Sequence, residues 1–364
     1  MNNGSISYPD EIREEHRFGQ RITSDYISTT HWLPLDLKTI NIKKPTILCF
    51  GGIATTNDRD ANYVAKLIQR LIPVEGDANV ISLIHSHIQG EKAARYFGED
   101  KDELLDIGIR EAYEIVDSIF IPLLTDENGN RLMIQDACKN IRSINIFAHC
   151  YGHFTSVYYI EVALRHTLKY FSYTDDEIER IIKQILVVSY EAGEFYKTSF
   201  PNVNITSLAS ELWEDIVLKF PKRDFETVEM QGDEKEKFIQ SKMFETKDPE
   251  LVRRFLRNNK YALLRDGNII DIYTNGLTTD GSDHDLSTIY QHQNGSMSYY
   301  TNELGRVVSN TIAEVLRYAL KNSHKNRESN NLQPLDMNEI FNICARNMQI
   351  SRTYFGEVAD LDFE

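Results

Sequence analysis

The chain has 364 residues, of which 41% are hydrophobic and 26% charged, enough apolar material for a sizeable core and too much for bulk disorder. Its 55 acidic and 40 basic side chains leave a formal net charge of −15, a surface that repels phosphate backbones and anionic lipid, so no nucleic-acid or membrane-surface partner is expected. Four scattered cysteines with no C-x-x-C spacing form neither a disulfide framework nor a zinc site, which points to a reducing compartment.

The first residues, MNNGSISYPDEIREEH, lack the basic and apolar regions of a signal peptide. The longest apolar runs, such as Ile144–Ala148 and Ile185–Ser189, are strand-sized and too short to span a bilayer. A cytoplasmic protein without an integral membrane segment is expected, with export by a signal-independent machine left open.

Residues 1–44 form an N-terminal extension in which ITSDYIST and HWLPLDL suggest a β-hairpin able to extend a sheet edge. Short apolar runs then alternate with amphipathic stretches, the pattern of a mostly parallel α/β sheet flanked by helices. Strands are predicted at Pro45–Phe50, Asn79–His85, Ser143–Ala148, Ile185–Ser189, Asn202–Leu208 and Asn268–Tyr273. Helices are predicted for NYVAKLIQRLI, for Asp102–Leu124, for FTSVYYIEVALRHTLKYF after the third strand, and for DDEIERIIKQ. The charged stretch from Glu211 to Leu263 has a helical pattern and reads as an insertion or cap. A closing helix, GRVVSNTIAEVLRYAL, completes a domain spanning 45–320, and residues 321–364 read as a polar tail with one amphipathic piece, MNEIFNICARNM.

The informative motif is Ala148-His149-Cys150-Tyr151-Gly152-His153, where a strand runs straight into a helix. A nucleophile elbow is a sharp turn of this kind, and small residues two before and two after the nucleophile let the chain pass close to itself. Ala148 and Gly152 occupy those positions. Helix N-terminal amides favour a thiolate, the reactive form of cysteine. The Tyr151 N–H is placed to hold a developing oxyanion. The competing expectation is an inert, buried structural thiol, a common fate of free cysteine.

This pattern resembles the G-H-S-x-G-G elbow of the α/β-hydrolase superfamily, with Cys150 for serine and His153 for the last small residue. The resemblance covers roughly 45–320 as pattern and order. It implies a chain order of oxyanion loop, nucleophile, acid and histidine. Gly51, Gly52 and Ile53, after the first strong strand, match the oxyanion loop, although a plain tight turn reads equally well. His284, in a loop between the last strand and the closing helix, matches the base. Glu211, then Asp215, match the orienting acid by their place after the fifth strand, while Asp233 lies in more charged surroundings. His149 and His153 are expected to be packing or pocket residues.

A cysteine in place of serine brings acyl transfer and thioester chemistry beside ester hydrolysis. The expected substrate is therefore a small molecule or acyl group, with no cofactor and no metal. Two rival readings remain. A caspase-like cysteine peptidase would pair His87 with Cys138 or Cys150, but Cys138 lies in a helical pattern and no glycine follows His87 directly. A catalytically inactive hydrolase fold used for binding is the other.

Overall fold

The computed structural model describes residues 23–24, 44–52, 55, 64–65, 67–69, 71–72, 78–83, 112–113, 115–154, 156–157, 160–191, 202–210, 261–265, 267–274, 303–329, 331–349 and 353–355. Its strands are β1 (Thr23–Ser24), β2 (Thr46–Phe50), β3 (Asn79–Leu83), β4 (Ile144–His149), β5 (Leu186–Tyr190), β6 (Asn204–Ser210), β7 (Tyr261–Arg265), β8 (Ile269–Thr274) and β9 (Thr353–Phe355). They join one nine-stranded sheet in the order β1-β3-β2-β4-β5-β6-β8-β7-β9. From β3 to β8 every neighbouring pair is parallel. Outside this block, β1 runs antiparallel to β3, β7 antiparallel to β8, and β9 parallel to β7.

Parallel strands cannot be joined by tight hairpins, so their crossovers cover both sheet faces and each strand is apolar on both sides. Every residue of β2, β3, β4 and β5 is accordingly buried. Alternation along the strands divides them between two cores. Leu48, Phe50, Ile144, Ile146 and Val187 pack on one face with the helical segment Val116–Phe120, α1 (Ile121–Leu124), α2 (Ile134–Ile141), α4 (Ile160–Tyr170) and α5 (Asp175–Ile182). Between α2 and α4 lies the short α3 (Tyr151–Phe154). Ile47, Cys49, Phe147 and Val188 pack on the other face with Val64, Ala65, Leu67 and Ile68, α6 (Glu303–Glu328) and α7 (Met337–Asn347). The result is a three-layer α/β/α arrangement.

Several elements differ from the sequence reading. The helix ending at Leu124 is not uniformly α-helical. Val116–Phe120 is π-helical, with the Ile121 N–H bonded to the Val116 carbonyl five residues back. Pro122 follows at the start of α1; it has no N–H to continue the regular ladder, which favours such a local shift. The described part of the single helix expected after the third strand is not uniformly α-helical: Ser156 and Val157, between α3 and α4, have π-helical geometry. Ser156 Oγ donates to the His153 carbonyl at 3.1 Å, a back-bond of the kind that bends helices. The end of the expected helical insertion is a strand, since β7 begins at Tyr261; residues 211–260 lie outside the described residues. At the other boundary, α6 runs on through residue 320, and α7 places Ile340, Phe341 and Cys344 in the second core.

One end of β4 is clamped. Arg142 is fully buried and donates to the Gln184 carbonyl (2.7 Å), Asn145 Oδ1 (2.6 Å), Asn322 Oδ1 (2.9 Å) and the Ala319 carbonyl (3.2 Å). Ser323 Oγ returns a bond to the Arg142 carbonyl at 2.8 Å. Burial pushes the guanidinium down to about 9, still charged at neutral pH. The rigid fork ties α6 to the amino end of the central strand. Among the described residues no helix is long and apolar enough to cross a membrane.

Candidate functional site

The carboxyl edge of the parallel block holds the ends of β2, β3, β4, β5, β6 and β8. This is the edge at which open α/β sheets bind ligands. At the end of β4 the backbone of Cys150 turns left-handed, with φ 51°. A non-glycine residue adopts that conformation at a cost of roughly 1–2 kcal/mol, and such positions cluster at functional sites. The Cys150 N–H reaches the Tyr190 carbonyl at 3.4 Å, so β4 stays coupled to β5 for one step beyond its last strand residue. The His153 N–H then closes on the Cys150 carbonyl at 3.0 Å, which turns the chain into α3.

The small neighbours are needed sterically. A Cβ on Gly152 would stand 2.6 Å from the Gly51 carbonyl oxygen, 2.6 Å from Phe50 Cβ and 2.7 Å from the Phe50 carbonyl oxygen. Only glycine fits where the elbow crosses the end of β2. Ala148, two residues before Cys150, is fully buried.

The same crossing brings the glycine loop to the cysteine. A Cβ built on Gly52 would lie 3.4 Å from Cys150 Cβ and 3.3 Å from His149 Nδ1. Gly51 is closed to any side chain by Thr55, whose Oγ1 would be 2.0 Å from the added carbon. The Thr55 N–H donates to the Gly52 carbonyl at 2.9 Å. Gly51, Gly52, His149 and Cys150 are thus brought together, along with the backbone of Tyr151. Ile53, Glu211, Asp215 and His284 lie outside the described residues, as does His87 of the peptidase reading.

None of the four cysteines is in a disulfide. All four are buried: Cys49, Cys138 and Cys344 completely, and Cys150 to all but 9% of its surface, as a member of the first apolar core. Burial raises the thiol of Cys138 to about 11 and pushes those of Cys49 and Cys344 still higher. Cys138 sits on α2 among core residues, as its helical pattern predicts.

The two histidines beside the elbow are packed on different groups. His149 stacks on the Tyr190 ring, with centroids 6.0 Å apart and planes 20° from parallel. His153 is fully buried and its Nδ1 hydrogen-bonds Ser189 Oγ on β5. That bond accounts for a histidine where the elbow pattern has a small residue: the imidazole anchors α3 to the next strand.

Two features escaped the sequence reading. Ser189, Ser207 and Asp271 are paired in register across β5, β6 and β8, and all three are buried, so a polar row extends sideways from the elbow. Immediately after β5, Glu191 is also left-handed, with φ 46°, and fully buried. Period-two alternation marks the serines only once the strand register is known. Nothing local in YEAGE singles out Glu191.

A scan of the sequence against protein-family models finds no match, and a search among curated proteins finds none either.

Proposed function

We propose that this chain is a cysteine-nucleophile enzyme of α/β-hydrolase type, acting on an ester, thioester or other activated acyl group by hydrolysis or acyl transfer. The observation that carries the reading is the left-handed Cys150 at the carboxyl end of β4, pressed against a Gly51–Gly52 loop through a contact only Gly152 permits. The order of edge loops lends further support. The glycine loop follows β2, the cysteine follows β4, and the segments carrying Glu211 and His284 follow β6 and β8. That is the succession of oxyanion loop, nucleophile, acid and base that such enzymes use.

In this reading His284 removes the Cys150 proton and the thiolate adds to the substrate carbonyl. Backbone amides of Tyr151 and of the Gly52–Ile53 region hold the oxyanion. Collapse breaks the bond to the leaving group, which takes the proton from His284 and leaves an S-acyl cysteine. Water or an acceptor nucleophile, deprotonated by the same imidazole, then attacks the thioester and restores the thiol. A carboxylate orients the imidazole, with Glu211 and Asp215 the candidates by chain order.

The test is intact-mass spectrometry of folded protein after brief exposure to iodoacetamide at a pH below 8. A single adduct is expected, at Cys150, and its complete loss in Cys150→Ala. An ordinary thiol titrates near 8.5 and reacts slowly there. Wild-type protein that stays unlabelled until unfolded would make the fold a binding module instead.

A further inference from the structure

We propose that His153 and Ser189 are positioning residues for the reaction at Cys150: their hydrogen bond fixes the turn whose Tyr151 amide holds the oxyanion. The inference rests on the cysteine reading above and adds what keeps the donor in place.

The turn cannot hold itself. Helix α3 is four residues long (Tyr151–Phe154), and Ser156 and Val157 beyond it are π-helical. A single helical turn has little stability of its own, because fixing its backbone costs more than its one or two bonds recover. Its direction must therefore come from tertiary contacts. Two are present, one on each strand beside β4. Toward β2, Gly152 stands against Phe50 and Gly51 with no room for a side chain. That contact limits how near α3 comes, but not how it is turned. Toward β5, His153 Nδ1 hydrogen-bonds Ser189 Oγ. A hydrogen bond weakens steeply away from its preferred angle, so this contact sets direction.

The reversal is fastened at His153. Its N–H donates to the Cys150 carbonyl at 3.0 Å, its carbonyl accepts from Ser156 Oγ at 3.1 Å, and its ring reaches β5. Ser189 is itself fixed, because it lies within β5 and pairs with Ala148, two residues before the cysteine. Both side chains are fully buried, where a hydrogen bond is stronger than in water. The peptide units of Tyr151 and Gly152 lie inside the closed reversal, so their direction follows that of His153. A donor stabilises an oxyanion only where it is already aimed at the oxygen. A misplacement of about 1 Å can cost on the order of 10²-fold in rate.

The experiment compares two reactions of one thiol. With p-nitrophenyl acetate, the Cys150 thiolate bonds to the acetyl carbon and p-nitrophenolate leaves; water then hydrolyses the thioester to acetate and restores the thiol. That acylation passes through an oxyanion. With iodoacetamide, the same sulfur displaces iodide from a methylene carbon, and no oxyanion forms. Loss of aim at Tyr151 therefore slows the first reaction and spares the second. Release of p-nitrophenolate in excess of Cys150→Ala gives the acylation rate, and intact mass gives the alkylation rate.

Ser189→Ala, the smallest change that removes the bond, should acylate roughly 10-fold more slowly or worse, while iodoacetamide labels it at the wild-type rate. His153→Ala should show the same split. His153→Asn, whose amide keeps a hydrogen-bonding atom near the place of Nδ1, should recover part of it. Ser207→Ala, one strand further along the same buried row, should leave the ratio of the two rates at the wild-type value.

A folded Ser189→Ala that acylates at the wild-type rate overturns the assignment. So does a variant in which both reactions slow together, or in which alkylation speeds up as Tm falls, since each describes a general loosening of the fold. The same split in Ser207→Ala overturns it too. Wild-type protein inert to both reagents defeats the cysteine reading and this one with it. A wild type that takes both, with Ser189→Ala and His153→Ala indifferent, defeats this one alone.

Discussion

The two ends of β4 are built on opposite principles. At the amino end, the Arg142 guanidinium is enclosed and bonded to acceptors from β4, the β5 approach and α6. At the carboxyl end the chain turns left-handed at Cys150, crosses β2 at a contact too tight for any side chain, and leaves that cysteine buried but for 9% of its surface. The first arrangement spends polar groups on holding helix to sheet. The second holds the backbone in an unfavourable conformation. Strain of that kind persists only where the surroundings over-determine it, and a clamped central strand between two packed layers supplies such surroundings.

That contrast can be broken by experiment. Arg142→Ala should lower the unfolding free energy by about 3 kcal/mol, because its neutral acceptors would be buried without a donor. Denaturant unfolding measures this, and Arg142→Lys should recover little, since an ammonium cannot reproduce the fork. Iodoacetamide labelling of Cys150 in the folded Arg142 variants should be unchanged. A change there would mean that the two ends are not separable.

A smaller effect is expected at the other end. Gly152→Ala must move Phe50 or the Gly51 carbonyl and should cost about 2 kcal/mol, in the range of overpacked sites. Unlike the Arg142 variants, it should also slow alkylation of Cys150 even where the protein remains folded. Equal labelling rates in Gly152→Ala and wild type would remove the elbow geometry from any account of reactivity.

The smallest expected effect concerns the sealed thiols. Burial holds Cys138 up to about 11, and Cys49 and Cys344 higher, all well above an ordinary thiol. A group whose folded value is raised contributes stability that is complete below the unfolded value and is lost as pH climbs. Unfolding free energy should therefore decline between pH 9 and about 11, and Cys138→Ala should make the decline shallower. A slope unchanged in Cys138→Ala would show that this thiol is not as enclosed as its core position implies.

Much of the architecture was written locally. Apolar runs bounded by turn residues located β2 to β6 and β8 within a few residues, because strands buried on both faces must be continuously apolar. The turn at Cys150 was legible for a related reason: a strand ending in small-x-Cys-x-small leaves few alternatives to a tight reversal. Strand β7 was hidden in a charged stretch because YALLR is short and its antiparallel partner is what makes it a strand.

From its own residues, then, the chain determined a parallel α/β sheet, its main strands and the reversal at Cys150, since these depend on neighbours in sequence and on the steric demands of a tight turn. Tertiary structure alone decided that Gly52 lies against Cys150, that His153 is spent on Ser189, and that Glu191 stands level with the cysteine one strand away. Each of those depends on strand order and register, which bring together residues 36 to 98 positions apart, and no local pattern encodes a distance of that kind.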